Sequence, residues 1–207
     1  SMVTIKRAVL LVEGAEDIFR AKTAVCLLRY RPGDVVGLLD ATRPGRVSGD
    51  AFGVGGNCPI RARLEDFRDL EPRTLVIGIA PPGGKLPEAW RTTIRAALEQ
   101  GLNVVSGLHQ FLGDEREFVE AAARGKTEIW DVRRVPEDLP VCRMEAAKLK
   151  TLRVATVGSD CNEGKMVTSY EMTLAAKKRG WKAAFIPTGQ TGMMLADGGL
   201  PMDRVIS

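Results

Sequence analysis

Short apolar runs alternate with amphipathic stretches along the first two thirds of the chain. Residues 8–12 (AVLLV) read as a strand ending in the turn Glu13-Gly14. From residue 16 to about 29, Ile18, Ala21, Val25 and Leu28 recur at helical spacing, and Pro32-Gly33 stops the helix. Residues 35–39 form a second strand closed by Asp40, and residues 75–80 (LVIGIA) a third, followed by Pro81-Pro82-Gly83-Gly84. A helix is predicted over 87–100, with Pro87 in its first turn and Gly101 just past its end. Val104-Val105 make another strand running into Ser106-Gly107-Leu108-His109, and residues 114–124 a further helix capped by Gly125.

Strands alternating with helices of this length require parallel β-α-β crossovers, hence an α/β fold with a doubly wound parallel sheet covered by helices on both faces. Ligands of such sheets sit at the carboxyl ends of the strands. Here those ends are Gly14, Asp40, the Pro-Pro-Gly-Gly turn and the Ser-Gly-Leu-His turn, polar or glycine-rich where an apolar filler would serve structure alone. Residues 41–60 are glycine-rich and aperiodic and read as a long loop. The first domain is placed at 3–132. Residues 133–150, which open with prolines among charges, read as a linker.

The second domain is placed at 151–207. It opens with a predicted strand at 152–157, a glycine-bearing loop and a helix over about 165–179, on which Met166, Tyr170 and Leu174 share one face and which Gly180 closes. A further strand at 183–186 leads into Pro187-Thr188-Gly189-Gln190-Thr191-Gly192. One β-α-β unit cannot cover both faces of its own strand pair. The domain is therefore expected to be the first part of a larger one, truncated near Ser207 or finished by another subunit. Truncation is favoured, because Val205-Ile206-Ser207 keeps an apolar, strand-like pattern.

Composition narrows the function classes. The 207 residues are 44% hydrophobic and 27% charged, a globular mix. No run approaches the ~20 apolar residues of a membrane span, and no charged-then-apolar leader opens the chain, so neither a membrane protein nor a secreted precursor is expected. Thirty Lys and Arg against 26 Asp and Glu give a net charge of +4, spread along the chain. With aromatics at 5%, the basic stripe and stacking platform of a nucleic-acid binder are missing. A mild positive balance suits an anionic small molecule, such as a nucleotide or a carboxylate. Cys26, Cys58, Cys142 and Cys161 form no C-x-x-C pair and share no metal-ligand spacing with the single histidine, His109. They are expected to be reduced thiols of a cytoplasmic protein that holds no metal through them.

Between the strand at 152–157 and its helix lies Gly158-Ser159-Asp160-Cys161-Asn162-Glu163-Gly164-Lys165-Met166-Val167-Thr168. The generic phosphate loop reads G-x-x-x-x-G-K-[ST] in that context. A tight loop aims successive backbone N–H groups inward, the helix N-terminus adds a positive dipole end, and Lys supplies a point charge. Gly158 to Val167 are thus the expected cofactor-binding residues. The Ser/Thr that would hold Mg²⁺ is Met166, a poor ligand for a hard cation. Thr168 lies two residues on and faces roughly the opposite side of the helix, while Asp160 could contribute a carboxylate. Phosphate or pyrophosphate binding is expected; ATP hydrolysis is not.

These residues resemble the dethiobiotin synthetase-like P-loop proteins, whose loop reads G-[ST]-D-x-x-x-G-K and whose second strand ends in K-P-x-Q-T-G. Gln190-Thr191-Gly192 match, whereas Ile186 stands in place of the lysine and one residue is inserted. Nearly the whole chain is similar to a domain-of-unknown-function family that joins a Rossmann-like N-terminal domain to such a P-loop domain. Its hallmarks, G-[ST]-D-C-x-x-G-K-M and G-Q-T-G-x-x-[IL]-A-x-x-G-x-P-x-D, correspond to residues 158–166 and 189–203. Members of that family continue well beyond this length, and some are assigned as D-glutamate N-acetyltransferases using acetyl-CoA. The resemblance implies acyl transfer from acetyl-CoA to an amino acid such as D-glutamate. Coenzyme A carries a 3′-phosphorylated ADP, which a phosphate loop without a strong Mg²⁺ ligand suits. Lys165 would act on those phosphates, and a small carboxylate-bearing substrate would lie near Gln190 and Thr191. Two other readings stay open: an ATP/Mg²⁺-dependent ligase or kinase of the synthetase type, and a non-catalytic nucleotide-binding module. Assembly into a homo-oligomer is also left open.

Outside the loop, Asp40 is placed where dinucleotide folds set an acid against a ribose, yet Glu13-Gly14-Ala15-Glu16 lacks the G-x-G-x-x-G fingerprint, and a turn or cap role serves Asp40 equally. His109 is a candidate acid/base at the ligand-facing edge. Gly83 and Gly84 could approach a substrate with their backbone or simply form a rigid turn. Cys161, ahead of a helix N-terminus and close to Lys165, is a candidate nucleophile for an acyl-cysteine intermediate.

Overall fold

Ala8, Val9, Leu10 and Leu11 form β1 (Ala8–Leu11), and all four are buried. A strand covered on both faces carries no polar alternation, which is why this run reads as continuously apolar. β2 (Val35–Leu39) and β4 (Thr74–Ile77) pair parallel to it on either side. The computed structural model describes residues 3–15, 18–79, 86–136, 144–160, 163–196 and 199–201, and the chain divides into two units, Ser1–Arg134 and Val135–Ser207.

In the first unit, β3 (Ile60–Arg61), β5 (Asn103–Ser106) and β6 (Ile129–Asp131) complete an all-parallel sheet of order β3-β2-β1-β4-β5-β6. This is the strand order of dinucleotide-binding doubly wound sheets, with the reversal between β1 and β4. Four α-helices belong to this unit among the described residues: α1 (Lys22–Tyr30), α2 (Ser48–Phe52), α3 (Glu88–Glu99) and α4 (Arg116–Gly125). Phe67, Ile94, Leu98 and Phe118 are fully buried, each contributing about 1.5–3 kcal/mol through burial.

Several expectations shift. α1 starts at Lys22 rather than near residue 16, so Ile18 lies outside it and is exposed. The helix start is set by the exit of β4, where Gly78 accepts a bond from the Ala24 amide at 3.3 Å, a tertiary constraint invisible to periodicity. The loop at 41–60 contains α2 and β3 and is pinned by the isolated bridge between Val47 and Pro59. Gly125 does not cap α4. It is the last helical residue, and Lys126 takes the left-handed position at φ 54°. Gly125 is required instead by close approach, since a Cβ there would collide with the Leu98 carbonyl oxygen of α3.

The second unit holds α5 (Lys165–Lys178) and α6 (Gln190–Leu195). The predicted strands at 152–157 and 183–186 are not formed among the described residues. A parallel strand needs a neighbouring ladder, and none pairs with them here; Leu152, Val154, Val157 and Ile186 are correspondingly exposed. Likewise α5 buries none of its residues.

Candidate functional site: the glycine loop ahead of α5

Thr156 ties the segment before the loop to the helix after it. Its hydroxyl donates to the Lys165 carbonyl at 3.0 Å and lies 2.7 Å from the Ser169 hydroxyl. Residue 156 is therefore held against the first turns of α5. Gly164 is the N-cap at φ 85°, and its carbonyl accepts the first helical bond from Thr168 at 2.9 Å. α5 has no acidic residue in its first turn and Lys177 and Lys178 in its last, so its N-terminus keeps a positive dipole end.

Within the loop, the Lys165 ammonium donates to the Asp160 carbonyl. The Ser159 hydroxyl donates to Glu163 Oε1 at 2.8 Å. The Glu163 carboxyl is held below its usual range by that Ser159 bond first, then by the backbone N–H of Asp160, with the Ser159 N–H and the Lys165 charge adding to it. The loop thus already holds a carboxylate on an N–H and hydroxyl cradle, the donor set a phosphate oxygen needs. Met166 and Val167 are half-buried on the first turn of α5, and Thr168 is exposed. Cys161 and Asn162 lie outside the described residues.

Gln190 and Thr191, which follow the stretch expected to be a strand at 183–186, are the first two residues of α6. Gln190 is half-buried, while Thr191 is buried with Met193, Met194 and Leu195. An open groove of about 710 Å³ runs beside Tyr170, Leu174, Phe185, Pro187 and Leu200. The Tyr170 and Phe185 rings meet edge-on at 5.1 Å. Neither Lys165 nor Gln190 lines this groove, and its apolar walls do not suit a phosphate.

In the first unit, the carboxyl ends of the strands gather Asp40 after β2, His109 after β5 and Arg133 after β6. Asp40 is fully buried, and its oxygens accept from the Thr42 amide and hydroxyl and from Arg43. These bonds make Asp40 the clasp of the turn after β2. His109 is exposed, and the Arg133 charge, followed by partial burial, pushes its imidazole below the usual value. Gly83 and Gly84 lie outside the described residues. Two further residues of this edge carry no motif in the sequence. Arg133 donates to the Gly107 carbonyl at 2.7 Å, and Asp131 accepts from the Leu112 and Gly113 amides at 3.0 and 2.9 Å. β6 is three residues long, too short for a periodic signal, and the basic pair after it reads as linker charge. Burial pushes the Cys26 thiol up and the Cys58 thiol to about 11, so neither described cysteine is a ready nucleophile.

Comparison with known families matches residues 41–135 to the Rossmann-like N-terminal domain, and residues 140–207 to the P-loop domain, of the domain-of-unknown-function family DUF1611. The chain belongs to this family. Its architecture is that of a DUF1611 protein: an α/β chain with a Rossmann-like unit followed by a P-loop unit. A crystal structure of a DUF1611 family protein from Anabaena variabilis superposes with a TM-score of 0.86 at 37% identity, covering 94% of this chain and 57% of that one. Two relatives are named D-glutamate N-acetyltransferase: one from Tritonibacter scottomollicae, 34% identical over 200 residues, and one from Pseudoalteromonas sp, 32% identical over 198. The chain spans about half the length of these relatives, 56% of each, while 96% of the chain itself is covered. Among the described residues, no helix is long and apolar enough to cross a membrane.

Proposed function

We propose that this DUF1611 chain contributes to acetyl-CoA-dependent N-acetylation of an amino acid such as D-glutamate, with the glycine loop holding the phosphates of coenzyme A. Ser159, the Asp160 amide and Lys165 are the groups that would meet those phosphates. The observation that carries the reading is the carboxylate of Glu163 seated on the loop's hydroxyl and amide donors beside the N-terminus of α5. An anion sits there in the folded chain, so the donors fit phosphate oxygens. Half-buried Met166 stands where a phosphate-cleaving loop places its Mg²⁺ ligand, which favours a held coenzyme over a hydrolysed nucleotide. The names of the relatives supply the reaction class.

In that reaction the acceptor's amine nitrogen bonds to the thioester carbonyl carbon, the carbon–sulfur bond breaks, and the amine proton leaves to a base while the thiol is released. Gln190, at the start of α6, is the residue proposed to meet the acceptor's carboxylate, with Thr191 beside it. The test is a coupled assay on the longest natural form of the protein. Thiol release from acetyl-CoA that requires D-glutamate supports the reading, and phosphate or ADP release from ATP without thiol release contradicts it.

A further inference from the structure

The loop donors are engaged by a residue of the loop itself. Glu163 lies four positions after Ser159, close enough for its carboxylate to fold back across the turn. One oxygen, Oε1, accepts from the Ser159 hydroxyl at 2.8 Å. The other, Oε2, lies over Gly158, where a Cβ would come within 2.6 Å of it. The amides of Asp160 and Ser159 bond to the same carboxylate. Lys165, the cation a bound phosphate would need, meanwhile donates to the Asp160 carbonyl. The Ser159 hydroxyl, the Ser159 and Asp160 amides and the Lys165 ammonium are therefore all engaged from within the loop. Glu163 remains exposed, so nothing in the packing prevents it from swinging out to solvent.

We infer that Glu163 is a resident competing anion: it fills the phosphate cradle when no ligand is bound and must leave before a phosphate group enters. This rests on the phosphate-binding reading above and adds a regulation to that site. A ligand reaches only the fraction of molecules whose loop is open, and its apparent affinity falls by that fraction. A phosphate group brings more charge and more acceptor oxygens than a carboxylate, so it can displace Glu163, whereas a simple carboxylate has no such advantage. The loop is thereby biased toward phosphorylated ligands over the carboxylate substrates of the same reaction.

Calorimetric titration of the full chain with inorganic pyrophosphate tests this, comparing the native protein with Glu163→Ala, Glu163→Gln and Lys165→Ala. Glu163→Ala is expected to bind at least about tenfold more tightly than the native protein. Glu163→Gln should also bind more tightly, because an amide oxygen competes less well for the same donors. Equal affinity in the native protein and Glu163→Ala, with Lys165→Ala weakened, overturns the competing-anion role and leaves phosphate binding intact. Weaker binding by Glu163→Ala overturns it as well, making Glu163 a ligand-contacting group. Absence of pyrophosphate binding in the native protein and in both Glu163 variants removes the phosphate reading and this inference with it.

Discussion

Arg43 closes on Asp40: its Nε donates to Asp40 Oδ2 at 2.8 Å, and its second guanidinium nitrogen lies 2.7 Å from the same oxygen. That nitrogen also donates to the Ala15 carbonyl at 2.8 Å, while the guanidinium stacks 4.7 Å above the Phe52 ring. One ion pair thus joins the exits of β1 and β2 to the start of the glycine-rich segment. Removing one member of a buried pair leaves the other uncompensated, so Asp40→Ala should lower stability by about 3 kcal/mol in urea unfolding. A loss below about 0.5 kcal/mol would mean that the clasp is not structural.

The turn after α4 separates two roles that the sequence merges in one glycine. Gly125→Ala drives a methyl group into the Leu98 carbonyl and should destabilise the protein by about 2 kcal/mol. Lys126→Gly relieves a left-handed backbone at φ 54° and should stabilise it by about 1 kcal/mol. Thermal unfolding of both variants reads the two signs directly, and the same sign in both contradicts this assignment.

His109 should titrate below its usual 6.5, because Arg133 stands nearby and the ring is partly buried. In the unfolded chain the ring returns to its usual value. The stability that neutral His109 confers is therefore full above pH 6.5 and is lost as the pH falls through the lower folded midpoint. Imidazole chemical shifts followed by NMR should give that lower midpoint, and Arg133→Ala should move it upward. An unmoved midpoint in Arg133→Ala contradicts the electrostatic cause.

Much of this was legible in the sequence, for reasons that differ by element. β1, β2 and β4 are apolar runs buried on both faces, and such runs announce themselves. The glycine loop is a local motif, so Gly158, Ser159, Gly164 and Lys165 stand out by residue type and spacing, whereas Glu163 falls at a variable position of that motif and its bond to Ser159 shows only in the structure. What escaped depends on distant partners. The start of α1 is fixed by Gly78, and the need for Gly125 comes from Leu98. β3 and β6 exist only as partners of longer strands. Arg43 and Arg133 carry no motif and matter through contacts with Asp40 and Gly107. The strands expected at 152–157 and 183–186 illustrate the converse: Val154 and Ile186 have the right residue type, but a ladder needs neighbours.

Met166 stands at the position where an Mg²⁺-holding phosphate loop carries Ser or Thr. Met166→Thr places such a ligand there, and ADP affinity should then rise about fivefold on adding Mg²⁺, with little Mg²⁺ effect in the native protein. Equal Mg²⁺ response in the two proteins would show that position 166 does not face the phosphates.

The loop from Gly158 to Lys165 is proposed to hold the phosphates of coenzyme A, and the rest of the functional reading depends on it. Isothermal titration of coenzyme A into the native protein and into Lys165→Ala tests it most directly. Measurable binding that weakens at least about tenfold in Lys165→Ala is the predicted result, as expected for losing a charged phosphate contact. Identical affinities in the two proteins, or no binding to either, would contradict it.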